Sequence, residues 1–361
     1  MKNIFLTTAA AIALTVTVAG AAEVRVYNWS DYIDESLLEK FKAETGYDLI
    51  YDVFDSNEML ETKLLSGGSG YDVVVPTGTF LQRQISAGAF QKLDMSKLPN
   101  AENLWDLIAD RTEKYDPDNA YSINYMWGTT GLGVNVNKVA EVLGDDAPID
   151  SMELVLNPEN MKKLAECGVY FLDAPAEMIP MTLKYIGEDP DSHDPDVIAK
   201  VEPVLSAVAP YVKKFHSSEF INALANGDIC VAVGWSGDIL QARDRAVEAN
   251  NGVELAYNAF AEGSQMWFDQ MAIPVDAPNP DGAHAFLNFM MDPQNIAAAS
   301  NYVYYANGNK ASQEFVDPEV IGDPAIYPTP ATLENLYITT PYPPKVQRVV
   351  TRLWTKIKSG T

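Results

Sequence analysis

The sequence predicts an α/β protein of two lobes joined by at least two chain crossings. Three observations carry this. From Val24 onwards, runs rich in β-branched or aromatic residues alternate with helical patterns, the signature of strand–helix–strand units. The 361 residues exceed one ordinary domain even after a leader is set aside. A second strand–helix series then follows a glycine-rich stretch at Gly128–Gly133, which reads as a crossing segment between lobes.

Residues 1–22 read as a secretory leader. Lys2 supplies the positive charge, Ile4 to Val18 the apolar stretch, and Ala19-Gly20-Ala21-Ala22 the small residues at a cleavage site. The chain from Glu23 is then an exported mature protein. Strands are expected at Val24–Asn28, Asp48–Phe54 and Tyr71–Val75, with helices between them at Glu35–Thr45 and Glu58–Ser66. The first helix places Leu37, Leu38 and Phe41 at helical spacing and stops at Gly46. The second opens on the cap signal Asp55-Ser56-Asn57-Glu58 and stops at Gly67-Gly68. Thr77-Gly78-Thr79 opens another helix through Ile85. Leu104–Lys114 reads as a helix and Tyr121–Met126 as a strand.

The second series comprises helix Pro158–Glu166, strand Val169–Leu172 and helix Pro175–Tyr185. A loop at 188–196 follows, then a long helix to Tyr211, interrupted or bent at Pro203. A helix after Ser217 ends at Asn226-Gly227, strand Ile229–Val233 enters Gly234-Trp235-Ser236-Gly237-Asp238, and a helix continues to Glu248. Val253–Phe260 returns the chain to the first lobe, with strand Phe268–Ile273 and helix Ala283–Met291 beyond. The expected division is 23–133 with 256–320 for lobe 1, 134–255 for lobe 2, and 321–361 as a closing segment across both. Two such lobes hold a ligand in their cleft and close over it.

Twenty-five basic and 50 acidic residues give a net charge of −25. Such a field repels nucleic acid and anionic lipid and attracts cations, although solubility alone also explains it. The two cysteines, Cys167 and Cys230, are expected to form a disulfide within one lobe of an exported protein.

An aromatic beside a carboxylate recurs at strand ends: Trp29 with Asp31 and Tyr32, Trp235 with Asp238, and Trp267-Phe268 with Asp269. Glu177 also follows a strand, and Tyr304-Tyr305 adds aromatic area. Each has a plainer reading. Asp31 suits a helix start and Asp238 a helix's first turn, whereas Asp269 sits in a strand, where Asp is depleted. Several carboxylates between aromatic faces are costly to desolvate unless a multiply charged cation joins them. A linear polyamine, charged at its ends and apolar between, has that chemistry.

The stretches Tyr27–Tyr32, Asp52–Glu58, Phe171–Pro175, Phe215–Ser218, Leu224–Cys230 and Gly234–Asp238 together resemble one family across the mature chain: the periplasmic spermidine/putrescine-binding proteins of ABC transporters. The resemblance implies a type II periplasmic binding fold with the polyamine enclosed between lobes, no cofactor and no metal, and a membrane permease as partner. It implies a monomer in the periplasm. Matched residue by residue, Trp29 and Tyr305 are aromatic walls; Ser30, Asp31 and Tyr32 lie at one ligand end with Thr77 and Thr79 nearby. Glu177, Ser217, Trp235 and Asp238 come from the second lobe, and Trp267 and Asp269 from the first. The family also has a cysteine pair matching Cys167 and Cys230. Trp267 follows the spermidine type, Ala174 and Asp31 the putrescine type, and Thr79 is intermediate. The balance tips slightly to putrescine, with spermidine, agmatine and cadaverine open.

Two other classes are weaker. Gly234-Trp235-Ser236-Gly237 falls one residue short of a hydrolase nucleophile elbow, and His193, His216 and His284 carry no local signature tying them to a serine. Tyr304-Tyr305 resembles the tyrosine pair of ferric-binding proteins, yet no ligands at metal spacing accompany it.

Overall fold

The computed structural model describes residues 22–360, so the expected leader lies, all but Ala22, outside the described residues. Among the described residues ten strands form a mixed sheet: β1 (Glu23–Trp29), β2 (Asp48–Phe54), β3 (Val73–Val74), β4 (Ser122–Asn135), β5 (Val169–Phe171), β6 (Lys214–Phe215), β7 (Val231–Trp235), β8 (Leu255–Ala259), β9 (Met266–Ala272) and β10 (Ala306–Asn307). Their order is β2-β1-β3-β9-β4-β7-β5-β6, with β8 and β10 also pairing with β4.

In the first lobe β1 runs parallel to both β2 and β3. The connecting helices are α1 (Ser36–Thr45) and α2 (Asn57–Leu65), with α3 (Gly78–Ser86) following β3. Helix α1 buries Leu37 and Phe41 one turn apart and ends at Gly46, whose φ of 76° only glycine adopts cheaply. At the start of α2 the Ser56 side chain accepts a hydrogen bond from the Met59 amide at 3.3 Å. These turns bring the C-terminal ends of β1 and β3 to one edge, where open α/β sheets hold ligands.

β4 joins the lobes. Its Ser122–Thr129 half pairs antiparallel with β9, and its Thr130–Asn135 half lies between β7 and β8. The glycine-rich crossing is therefore one unbroken strand, and its glycines serve packing rather than turning. A side chain at Gly128 would reach within 2.7 Å of Trp267, and one at Gly133 within 2.8 Å of Leu224. The strand ends where Asn135 caps an unanticipated helix, Val136–Leu143, by accepting from the Lys138 amide at 3.2 Å.

β8 pairs with Gly131–Asn135 on the side of β4 opposite β7. The long helix expected up to Tyr211 is instead a series of short pieces, Pro195–Ile198, Ala199–Val201, Glu202–Val208 and Ala209–Tyr211. Pro203 sits in the first turn of Glu202–Val208, where a missing N–H costs nothing, so it starts a helix rather than bending one.

The second-lobe core gathers residues such as Leu132, Val169, Phe220 and Val233, and flanking clusters around Phe41 and Leu60 cover the two faces of the first-lobe sheet. Cys167 and Cys230 form a disulfide with Cα atoms 5.5 Å apart across 63 residues of second-lobe chain. Residues 337–340 add a third crossing. The Met266 amide donates to the Tyr337 carbonyl, and Thr340 bonds Asp191 through both its amide and hydroxyl. The closing helix Pro344–Ser359 then packs Val346, Val350, Leu353, Trp354 and Ile357 onto the second lobe. No helix among the described residues is long and apolar enough to cross a membrane.

Candidate functional site

Segments of both lobes converge on one cavity of about 140 Å³. Every residue expected at the ligand lines it. The end of β1 contributes Trp29, Ser30, Asp31 and Tyr32; the β3–α3 turn contributes Thr77 and Thr79. Strand β9 contributes Trp267 and Asp269, and Tyr305 stands just before β10. From the second lobe come Glu177, in the first turn of helix Pro175–Tyr185, Ser217 after β6, Trp235 at the end of β7, and Asp238. Ala174 lines it as well.

Three carboxylates define the electrostatics, and each is embedded in donors. Asp269 accepts from the Tyr32 hydroxyl at 2.9 Å and the Thr77 hydroxyl at 2.6 Å. Asn57 orients that threonine: its Nδ2 donates to Thr77 Oγ1 and its Oδ1 accepts from the Thr77 amide, both at 3.0 Å. Asp238 accepts from the Tyr305 hydroxyl at 2.8 Å. Glu177 accepts from the Thr130 hydroxyl at 2.7 Å and from the Trp235 indole. Burial nevertheless pushes all three carboxyls up to about 7, the hydrogen bonds opposing it only in part. Asp31 and Asp269 push Asp238 further up and Arg245 pulls it back, while Asp269 adds to the rise at Glu177. The cavity lining itself contains no lysine or arginine to balance these groups.

Aromatic rings enclose the space between the acids. Trp29 is fixed by its indole N–H donating to the Val75 carbonyl at 2.9 Å, and it meets Trp235 of the other lobe edge-on at 6.4 Å. Tyr305 packs edge-on against both Trp267 at 5.1 Å and Tyr32 at 5.5 Å. An ammonium among such faces gains from their quadrupoles, and an alkyl chain from their apolar area.

Two expected residues take more modest positions. Asp31 is exposed at the rim, in the left-handed conformation with φ 54°, and its carboxylate lies 3.7 Å from Arg245 of the second lobe. The Ser30 hydroxyl is committed to Asp55 at 2.8 Å.

Gln265 escaped the sequence reading. It lines the cavity, is 5% exposed, and its Oε1 is buried without a hydrogen-bond partner, as is the Trp267 indole N–H. Gln265, Trp267 and Asp269 alternate along one strand face, so the period-two spacing from Asp269 was the available signal. Asn57 was read only as part of a helix start.

The groups behind the other two readings are engaged elsewhere. His284 Nε2 accepts from the Asp94 amide, His216 Nδ1 from the Ser218 and Glu219 amides, and His193 Nε2 lies 3.1 Å from the Thr340 hydroxyl. Ser236 accepts from the Thr129 amide at 3.4 Å. Tyr304 and Tyr305 donate to different acids, Asp244 and Asp238. Among the described residues no group of three or more His, Cys, Asp or Glu is placed to hold a metal ion.

Two α/β lobes tied by a shared strand, with an anionic aromatic cavity between them, define a solute-binding protein. Residues 36–329 match the bacterial extracellular solute-binding protein family, and the chain belongs to it. It is 50% identical to the putrescine-binding periplasmic protein SpuD of Pseudomonas aeruginosa, over the full length of both chains. It is 48% identical to the putrescine-binding periplasmic protein PotF of Escherichia coli, over 97% of this chain and 95% of that one. Among solved structures, a putative spermidine/putrescine ABC transporter protein from Listeria monocytogenes superposes with a TM-score of 0.83 at 32% identity, covering 94% of this chain and 99% of that one.

Proposed function

We propose that this protein is a periplasmic receptor that captures a polyamine, putrescine ahead of spermidine, and delivers it to an ABC permease. The observation that carries the reading is the set of Glu177 and Asp269, buried, and Asp238, half-buried, drawn from both lobes with no lining lysine or arginine to balance them. A dication supplies that balance. Its ammonium ends meet Asp269 and Asp238 or Glu177, while its methylenes lie between Trp29, Trp235, Trp267 and Tyr305. Tyr32 and Thr77 hold Asp269 in place, and Tyr305 holds Asp238. Asp31 at the rim draws the cation in, with Ser30, Thr79 and Ser217 completing the walls. Capture is reversible and involves no covalent chemistry; closure presents a permease with one liganded shape. The putrescine preference is supported by Ala174 and Asp31 and by the names of the relatives at 50% and 48% identity.

Ligand that binds only the folded protein raises its melting temperature. A thermal-shift panel of putrescine, spermidine, spermine, cadaverine, agmatine and ferric ion tests the reading. Putrescine is expected to give the largest shift and ferric ion none. No shift with any amine overturns it, and a larger shift with agmatine or cadaverine reassigns the ligand within the amine class.

A further inference from the structure

Tyr304 is the residue of the Tyr304-Tyr305 pair that the cavity does not use. It ends helix Pro293–Val303 in the left-handed conformation, φ 58° and ψ 33°, which a bulky residue adopts only under constraint. The constraint is visible on the opposite lobe. The Tyr304 hydroxyl donates to Asp244 and the Tyr305 hydroxyl to Asp238, while Gln241 Nε2 lies 3.4 Å from the Val303 carbonyl. Asp238, Gln241 and Asp244 stand three residues apart on one face of helix Ser236–Ala249. Three consecutive first-lobe residues therefore meet three successive positions of one second-lobe helix.

Gly237 sets how near that helix comes. A β-carbon there would lie 2.5 Å from Tyr305 Cε2 and 2.6 Å from Cζ. The ring cannot retreat, because Trp267 and Tyr32 pack on it and Gly128 sits close behind. Gly237 is not among the positive-φ glycines, and alanine is the better helix former, so close approach is what requires glycine.

We propose that Gly237 and Tyr304 are positioning residues for lobe closure: the bare Gly237 backbone is the stop on which Tyr305 seats, and Tyr304–Asp244 is the outer catch that holds the lobes there. This rests on the polyamine-receptor reading, and neither Gly237, Tyr304 nor Asp244 lines the cavity.

The test is calorimetry and stopped-flow binding of putrescine, with small-angle scattering before and after ligand, on wild type and five variants. Gly237→Ala is expected to melt at or above the wild-type temperature without ligand, to lose at least tenfold in affinity, and to compact incompletely on saturation. Tyr304→Phe and Asp244→Ala are each expected to speed dissociation threefold or more, with the double variant no faster than either. Asp244→Asn, which keeps an acceptor, stays near wild type. Wild-type affinity and compaction in Gly237→Ala, or additive effects at Tyr304 and Asp244, overturn the closure assignment alone. A wild-type protein that binds no amine overturns the ligand reading and this inference with it.

Discussion

Asp31 follows the end of β1 and Asp269 lies within β9, and both belong to an aromatic–acid pair in the sequence, yet they do opposite things. The Asp31 side chain is 58% exposed and lies 3.7 Å from Arg245, so water and an arginine already serve it. Asp269 is 5% exposed, receives two hydroxyl hydrogen bonds, and is still pushed up to about 7 by desolvation. The difference lies in what a cation adds. At the rim it replaces good solvation by a screened contact; in the cavity it completes a charge that hydroxyls alone leave unbalanced. Under the proposed function, affinity resides in the buried acids, and the rim acid serves encounter.

Exchanging the acids for amides separates the two roles. Asp269→Asn or Asp238→Asn is expected to weaken putrescine binding by about 2–5 kcal/mol, because an ammonium is left buried without its partner. The ligand-free Asp269→Asn protein should melt no lower than wild type, since a costly buried charge has gone. Calorimetry and thermal melts check both, and an Asp31→Asn variant as weak as Asp269→Asn would break the comparison.

Removing the disulfide by Cys167→Ser with Cys230→Ser should cost about 2–4 kcal/mol of stability and leave affinity within about twofold, because the bridge ties second-lobe chain away from the cavity. Chemical denaturation and calorimetry separate these outcomes. A large affinity loss would mean that lobe order, and not cavity charge, limits binding.

The pH dependence comes next. The three carboxyls stand near 7 when folded, against about 4 in an unfolded chain. Raised folded values mean that their contribution to stability is fully present below about 4 and is lost as pH rises through about 7. Binding requires the ionised form and runs the other way. Putrescine affinity should fall as pH drops below about 7, approaching tenfold per unit for each proton that must leave. The smallest effect belongs to Asp31→Asn, about 1 kcal/mol or less, appearing mainly as slower association that high salt abolishes. Stopped-flow rates at two ionic strengths check it.

Much of the site was legible because it violates ordinary patterning. Asp269 stands in a strand directly after Trp267-Phe268, where Asp is depleted, and the Trp235–Asp238 stretch repeats the pairing of an aromatic with an acid at a strand-to-helix turn. The βαβ unit was legible through caps such as Ser56 and Gly46, which are local. What was not legible depends on tertiary contact. The crossing at Gly128–Gly133 was read, but the reason for its glycines was not, because their need, close packing by Trp267 and Leu224, lies far away in sequence. Gln265 carries no charge to flag it, and Asn57 acts on the cavity only through Thr77. That β8 pairs with the Gly131–Asn135 half of β4 was not legible either, because a strand's pattern says that it pairs, not with which neighbour.

The central claim is that a polyamine takes the place of protons on Glu177, Asp238 and Asp269. Titrating putrescine calorimetrically at pH 7 in two buffers of different ionisation heat measures the protons exchanged. Three groups half-protonated at that pH predict a release of roughly one to two protons per ligand, vanishing above about pH 9. Putrescine binding without proton release between pH 6 and 8 would contradict it.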